Sequence, residues 1–217
     1  MKRSLVKICL RLFPVFPAMF FLAACCATAL GQSAPKIVRV EEDWELVVGE
    51  PNPVNDAPQI TSVISPFADV GSLYAAFEVN ARSLPAFVPG GLQLQIWNGE
   101  TVLSNRKFPS GAVLSHPGET VCWTQSIALS DGSLTFEITN GSSTTWGAFG
   151  GQGYLKAGVP TTLADLSAYD PNVSAQNSKI GFAENRVQSL VLKRVRKHTS
   201  TGEVIEDATR RVVHSRD

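Results

Sequence analysis

Cysteine is nearly missing from this 217-residue chain once its first segment is set aside. Cys9, Cys25 and Cys26 all fall ahead of Gln32. That leaves Cys122 alone and excludes an intrachain disulfide in the remainder. Histidine is also scarce: His116, His198 and His214 are scattered, with no partner at metal-ligand spacing, so no zinc or other metal centre is expected. The oxygen-rich segment NPVNDAP (52–58) lacks the ligand spacing of a recognised calcium loop. Ser130 sits in no G-x-S-x-G elbow, and Cys122 has no Cys-His-Asn context, so neither nucleophile has a catalytic setting. No cofactor is expected. Helical periodicity is almost wanting, and only residues 163–169 permit a short helical turn.

Residues 1–31 have the layout of a secretory signal. Lys2, Arg3, Lys7 and Arg11 form a basic start, an apolar run extends from Leu12 to Ala24, and small residues follow. The run is short and interrupted by Pro14 and Pro17, whereas a membrane span needs about 20 apolar residues. Ala29-Leu30-Gly31 before Gln32 fits the small-x-small rule of ordinary cleavage. Leu22-Ala23-Ala24-Cys25 resembles the lipobox of bacterial lipoproteins, which implies lipid on Cys25 instead. Both readings export the protein to the periplasm, the cell surface or beyond, and neither leaves a transmembrane span in the mature chain.

Cleavage before Gln32 leaves fifteen Lys and Arg against nineteen Asp and Glu, a net charge of −4 for the mature chain. Nucleic acid is therefore not the expected partner, because phosphate binding needs clustered positive charge. Without disulfides the apolar core must hold the fold alone, and the mature chain is long enough to bury one. No repeat, low-complexity block or long linker follows Ala34, so residues 32–217 read as a single domain.

Short runs rich in Val, Ile, Thr and aromatics, punctuated by Gly, Pro, Asn and Asp, predict an all-β fold of roughly ten to fourteen strands. Asp131-Gly132 supplies the positive φ angles of a two-residue hairpin turn. Counting outward places Leu129 opposite Leu134, Ile127 opposite Phe136, Gln125 opposite Ile138 and Trp123 opposite Asn140. Asn98-Gly99 in LQLQIWNGETVL predicts a second hairpin with Leu94 opposite Leu103. In VRVEEDWELVVG, Val38, Val40, Trp44, Leu46 and Val48 share a face, with Glu42 the exception. A last hairpin is expected to turn near residues 200–202. Glu41, Asp43 and Glu45 complement Arg194, Arg196, Arg210 and Arg211, so the two chain ends are expected to pair in one sheet. An antiparallel two-sheet sandwich closed in this way resembles the concanavalin-A-like and jelly-roll architectures, on strand pattern alone.

Three stretches carry candidate chemistry. In GSSTTWGAFGGQGY (141–154), glycines flank Trp146, Phe149 and Tyr154. Aromatic faces stack on sugar rings and Gln152 bonds their hydroxyls, so the loop suits a glycan; alternatively Trp146 and Phe149 turn inward and plug the sandwich. Gln93, Gln95 and Trp97 project from one side of their strand as a platform for an extended sugar chain, or pack beneath the loop at 83–91. Glu41, Asp43 and Glu45, at i, i+2 and i+4, point to one face of a strand. Their spacing resembles the E-x-D-x-E strand of laminarinase-type β-glucanases. That resemblance implies Glu41 as nucleophile, Asp43 as the group tuning it and Glu45 as acid/base, with Glu42 standing where that family has an apolar residue. The bland alternative is an acidic strand facing the C-terminal arginines. The leading expectation is a non-catalytic exported module that binds a glycan or an envelope protein. A glycoside hydrolase and a structural protein of the envelope are the alternatives.

Overall fold

The computed structural model describes residues 34–50, 57–81, 90–108 and 112–216. The expected signal segment, most of the NPVNDAP segment and residues 83–89 of the proposed covering loop lie outside the described residues. Among the described residues there are thirteen strands: β1 (Ile37–Val48), β2 (Gln59–Ile64), β3 (Leu73–Ala81), β4 (Gly91–Asn98), β5 (Thr101–Phe108), β6 (Thr120–Ser130), β7 (Ser133–Ser143), β8 (Gly147–Phe149), β9 (Lys156–Pro160), β10 (Lys179–Phe182), β11 (Val187–Thr199), β12 (Val204–Asp207) and β13 (Arg211–Ser215). One helix, α1 (Pro171–Asn177), joins them among the described residues. It is not long and apolar enough to cross a membrane.

The strands form an antiparallel two-sheet sandwich. One sheet runs β12-β11-β1-β6-β7-β8, with β13 also on β11 and β9 also on β7; the other runs β10-β2-β3-β4-β5. The first described strand lies against β11 over nearly its whole length, with Glu41 opposite Arg196 and Asp43 opposite Arg194, so the two ends of the chain do share a sheet.

The β6–β7 hairpin keeps the expected register through Leu129/Leu134, Ile127/Phe136 and Gln125/Ile138. It turns on Asp131 (φ 49°) and Gly132 (φ 72°). The register slips by one residue between Thr124 and Cys122, so Trp123 is not opposite Asn140. Asn140 has a φ of 53°, and this left-handed residue marks the bulge. The β4–β5 hairpin departs further. Asn98 pairs with Thr101, so Gly99 (φ 57°) and Glu100 form the turn, and Leu94 faces Arg106 rather than Leu103. Positive φ at the first central residue alone is the II′ pattern, which shifts the turn one residue along from the Asn-Gly pair. Residues 163–169 are not helical; α1 begins just beyond them. Asp170 caps α1 by accepting from the Asn172 amide, and Pro171 takes the first turn, where its missing N–H is harmless.

Between the sheets, Trp44 and Trp123 stack in parallel at 6.1 Å, and Phe77 from the other sheet meets Trp123 edge-on at 5.7 Å. Both indoles are buried, and truncating either to alanine costs about 3–5 kcal/mol. Glu42, the exception on the core face, is fully buried beside them. Its Oε2 accepts from Trp44 Nε1 (2.9 Å) and Gln125 Nε2 (2.6 Å), and its Oε1 accepts from the Tyr169 hydroxyl (2.7 Å). Gln125 also donates to the Val63 carbonyl and accepts from Ser62 Oγ, both on β2. One carboxyl thus ties together both sheets and the segment leading to α1. Burial pushes its pKa above the usual carboxylate range, and the hydrogen bonds oppose that shift without cancelling it.

Candidate ligand-binding face

Antiparallel register places side chains of neighbouring strands in rows across the outer face of the five-stranded sheet. Lys179, Thr61, Glu78, Gln93 and Lys107 form one row. Val63, Ala76, Gln95 and Asn105 form the next, and Tyr74, Trp97 and Val102 the third. The alternate residues Ile60, Phe77, Val79, Leu92, Leu94 and Ile96 point the other way into the core.

A cavity of about 430 Å³ opens on this outer face. Gln59, Thr61, Glu78 and Gln95 are among the polar groups lining it, and Tyr74, Trp97 and Phe182 are the aromatic ones. Tyr74 and Trp97 are half-buried and stack with nearly parallel rings, 5° between the planes and 6.4 Å between the centroids, so they form an aromatic pair beside the polar groups. Phe182 is 42% exposed.

The polar groups are unusual for an outer face because they are buried. Glu78 is 5% exposed, and its Oε2 accepts from Thr61 Oγ1 (2.8 Å) and Gln59 Nε2 (3.3 Å). Burial raises its pKa, while those two hydrogen bonds and the Lys179 charge pull it back. Gln59 Oε1, Gln95 Oε1, Asn105 Oδ1 and both ends of Gln93 are buried with no hydrogen-bond partner among the described residues. Each such orphan costs about 1–3 kcal/mol, and five of these atoms gather on this one face.

Gln93, Gln95 and Trp97 thus share a face, as the alternation predicts. Sequence reasoning missed Gln59, Thr61, Tyr74 and Glu78. The polar residues of QITSVI and LYAAFEVN alternate in the same way, but which strand lies beside β4 is not written in either run.

The glycine-rich loop lies away from this cavity, and Trp146, Phe149 and Tyr154 make contacts within the fold. Trp146 is half-buried, donates its indole N–H to the Gly90 carbonyl (2.9 Å) and meets Phe149 edge-on. Phe149 is buried and stacks on Phe77 at 6.3 Å. Tyr154 packs on Phe108, and its hydroxyl accepts from the Gly150 amide, while Gln152 is exposed. A Cβ on Gly141 would collide with the Phe149 ring, which explains that glycine without a ligand.

Glu41, Asp43 and Glu45 belong to an ion-pair ladder, and the cavity that Asp43 lines is shared with Lys193, Arg194 and Arg196. Arg196 reaches Glu41 Oε2 (2.7 Å) and both oxygens of Asp43 (2.6 and 2.9 Å); Arg194 also binds Asp43, and Lys193 binds Glu45 at 2.8 Å. Burial pushes the Glu41 and Asp43 carboxyls upward, but the Arg196 hydrogen bonds and charge outweigh it and hold both below the usual range. Glu41, the expected nucleophile, and Glu45, the expected acid/base, are thus engaged by Arg196 and Lys193, as the alternative of an acidic strand facing the C-terminal cations has it. Arg211 takes no part; it pairs with Asp207 instead.

No protein-family model matches the chain, and no curated protein matches it either.

Proposed function

We propose that this is an exported, non-catalytic binding protein whose cavity on the five-stranded sheet holds a glycan. The observation that carries the reading is the set of buried amides without a partner among the described residues, beside the stacked Tyr74–Trp97 pair. A sugar ring satisfies both halves at once. Its C–H face lies on the aromatic pair, and its hydroxyls complete the hydrogen bonds that Gln59 and Gln95 lack. Export rests on the basic and apolar start of the chain, with release before Gln32 or lipid on Cys25 as its two forms. The test is a glycan array probed with the wild type and Trp97→Ala. The reading expects a defined set of glycans bound by the wild type and lost in the variant, whose thermal unfolding stays cooperative. Trp146→Ala serves as a control that should destabilise the fold without changing glycan preference. Binding that survives Trp97→Ala unchanged, or absence of any glycan signal, overturns it.

A further inference from the structure

Among the described residues lining this cavity Glu78 is the one carboxylate, and it is buried. Among the described residues it makes no ion pair; Lys179, two strands away in the same row, lines the cavity without reaching it. Both of its hydrogen bonds fall on Oε2, and Oε1 accepts none from a described residue. Gln59 adds a second free acceptor. Its Nε2 donates to Glu78, which fixes the amide orientation and leaves Oε1 buried and partnerless. Gln95 Oε1 is a third. The cavity therefore offers mainly acceptors, one of them charged, next to the faces of Tyr74 and Trp97.

A buried carboxylate with no cation in direct contact is unfavourable, since Lys179 acts on Glu78 only at a distance, and aromatic faces attract cations. A protonated primary amine brings one positive charge and three N–H donors, and so answers all of these groups together. Resting on the glycan reading above, we infer that the sugar bound here carries a free, protonated amine whose ammonium pairs with Glu78. Burial already raises the Glu78 pKa, and the arriving charge would bring it down.

The test uses calorimetric titration at pH 6 with three β-1,4-linked tetramers of the same backbone: glucosamine, N-acetylglucosamine and glucose. The glucosamine tetramer should bind at least tenfold more tightly than the other two. Glu78→Gln should remove that preference, and Trp97→Ala should weaken all three. An independent arm leaves the protein unaltered. Raising the pH towards 9 deprotonates the sugar amine and should erase the preference, with neutral tetramers unaffected. Among the described residues Tyr74 and Lys179 are the other titratable groups lining the cavity, and Lys107 ends the Glu78 row on β5; the Lys179 charge opposes the ammonium, so the preference expected at pH 6 is the net of Glu78 attraction over that repulsion. Equal binding of the three tetramers, or a preference that persists in Glu78→Gln or at pH 9, overturns the amine inference and leaves the glycan reading standing. Failure of all three to bind, with no array signal, overturns both.

Discussion

The Tyr169 hydroxyl donates a 2.7 Å hydrogen bond to the Glu42 carboxylate from 127 positions further along the chain. The same carboxyl accepts from Trp44 and Gln125, so three donors converge on a group with no exposure to water. Replacing it with leucine orphans all three donors. At about 1–3 kcal/mol for each, Glu42→Leu should cost about 3 kcal/mol or more. Glu42→Gln has a different outcome. Its oxygen still accepts from Trp44 and Gln125, and the Tyr169 hydroxyl turns to accept from its amide. Chemical denaturation should show Glu42→Gln near or above wild-type stability at pH 7 and Glu42→Leu far below it.

The pH dependence follows from the direction of the shift. The folded pKa of Glu42 lies above the unfolded value of 4.5, so the folded chain holds that proton more tightly. The resulting stability is full below the unfolded pKa and is lost as pH rises through the folded one. Glu41 and Asp43 act in the opposite sense: with folded values lowered, their contribution is present above their unfolded values and lost as pH falls. The difference between Glu42→Gln and wild type isolates the first effect. Measured by urea midpoint, the variant should gain on the wild type as pH rises above 4.5 and stop gaining past the folded value. A flat difference would contradict the buried-acid account.

How much of this was legible depended on whether the signal was local. Asp131-Gly132 announces its turn, and the apolar alternation on either side sets the β6–β7 register as far as the bulge at Asn140. Complementary charge was enough to pair β1 with β11. The β4–β5 register was misread because Asn98 closes the last strand pair instead of entering the turn. The Asp170-Pro171 start of α1 was readable as a cap followed by a first-turn proline, yet the preceding apolar residues drew the helix to 163–169. Leu166 and Tyr169 there are apolar because they enter the core from an irregular segment. At the cavity, alternation within one strand exposed Gln93, Gln95 and Trp97 as a set. Their partners on β2 and β3 come from tertiary placement, since β2 and β3 are joined by residues 65–72 without a hairpin dinucleotide.

The outer ladder of the eight-stranded sheet should contribute less than its number of charges suggests. Lys193 and Glu45 are both partly exposed, and such pairs are worth about 0–1 kcal/mol. Arg196 is the most enclosed cation of the ladder and grips Asp43 with two nitrogens and Glu41 with a third. Arg196→Met should therefore cost about 1 kcal/mol, and Lys193→Met about half of that or less. Denaturation at 0.1 M and 1 M salt checks the assignment, because screening should shrink the Lys193 effect more than the Arg196 effect.

Two adjacent glycines separate backbone strain from steric collision. Gly150 and Gly151 have φ angles of 77° and 76°. An added Cβ on Gly151 meets nothing within 4 Å, whereas one on Gly150 strikes the Ile138 carbonyl. Gly151→Ala should then show the left-handed penalty alone, about 1–2 kcal/mol. Gly150→Ala should add a backbone clash and lose the hydrogen bond that brings Gly151 N to the Ile138 carbonyl, for a total of about 3 kcal/mol or more. Thermal melts of the two variants decide this directly, since equal losses would show that the corner gives way freely.

The orphaned amides yield the sharpest contrast between folding and binding. Gln93 is fully buried with both ends of its amide partnerless among the described residues, and Gln95 is 2% exposed with its oxygen likewise unmet there. Leucine at either place fills a similar volume and needs no hydrogen bond. Removing such groups should raise stability by about 1–3 kcal/mol per orphan relieved, the reverse of what most core substitutions do. Gln95 lines the cavity and Gln93 sits beside Glu78 in the neighbouring row. Gln95→Leu should therefore melt at a higher temperature than wild type and lose ligand affinity at least tenfold, the trade expected where a binding site is kept at the expense of the fold. If Gln95→Leu instead lowers the melting temperature, its oxygen has a partner in the unliganded protein, and the amides belong to the architecture and not to a ligand.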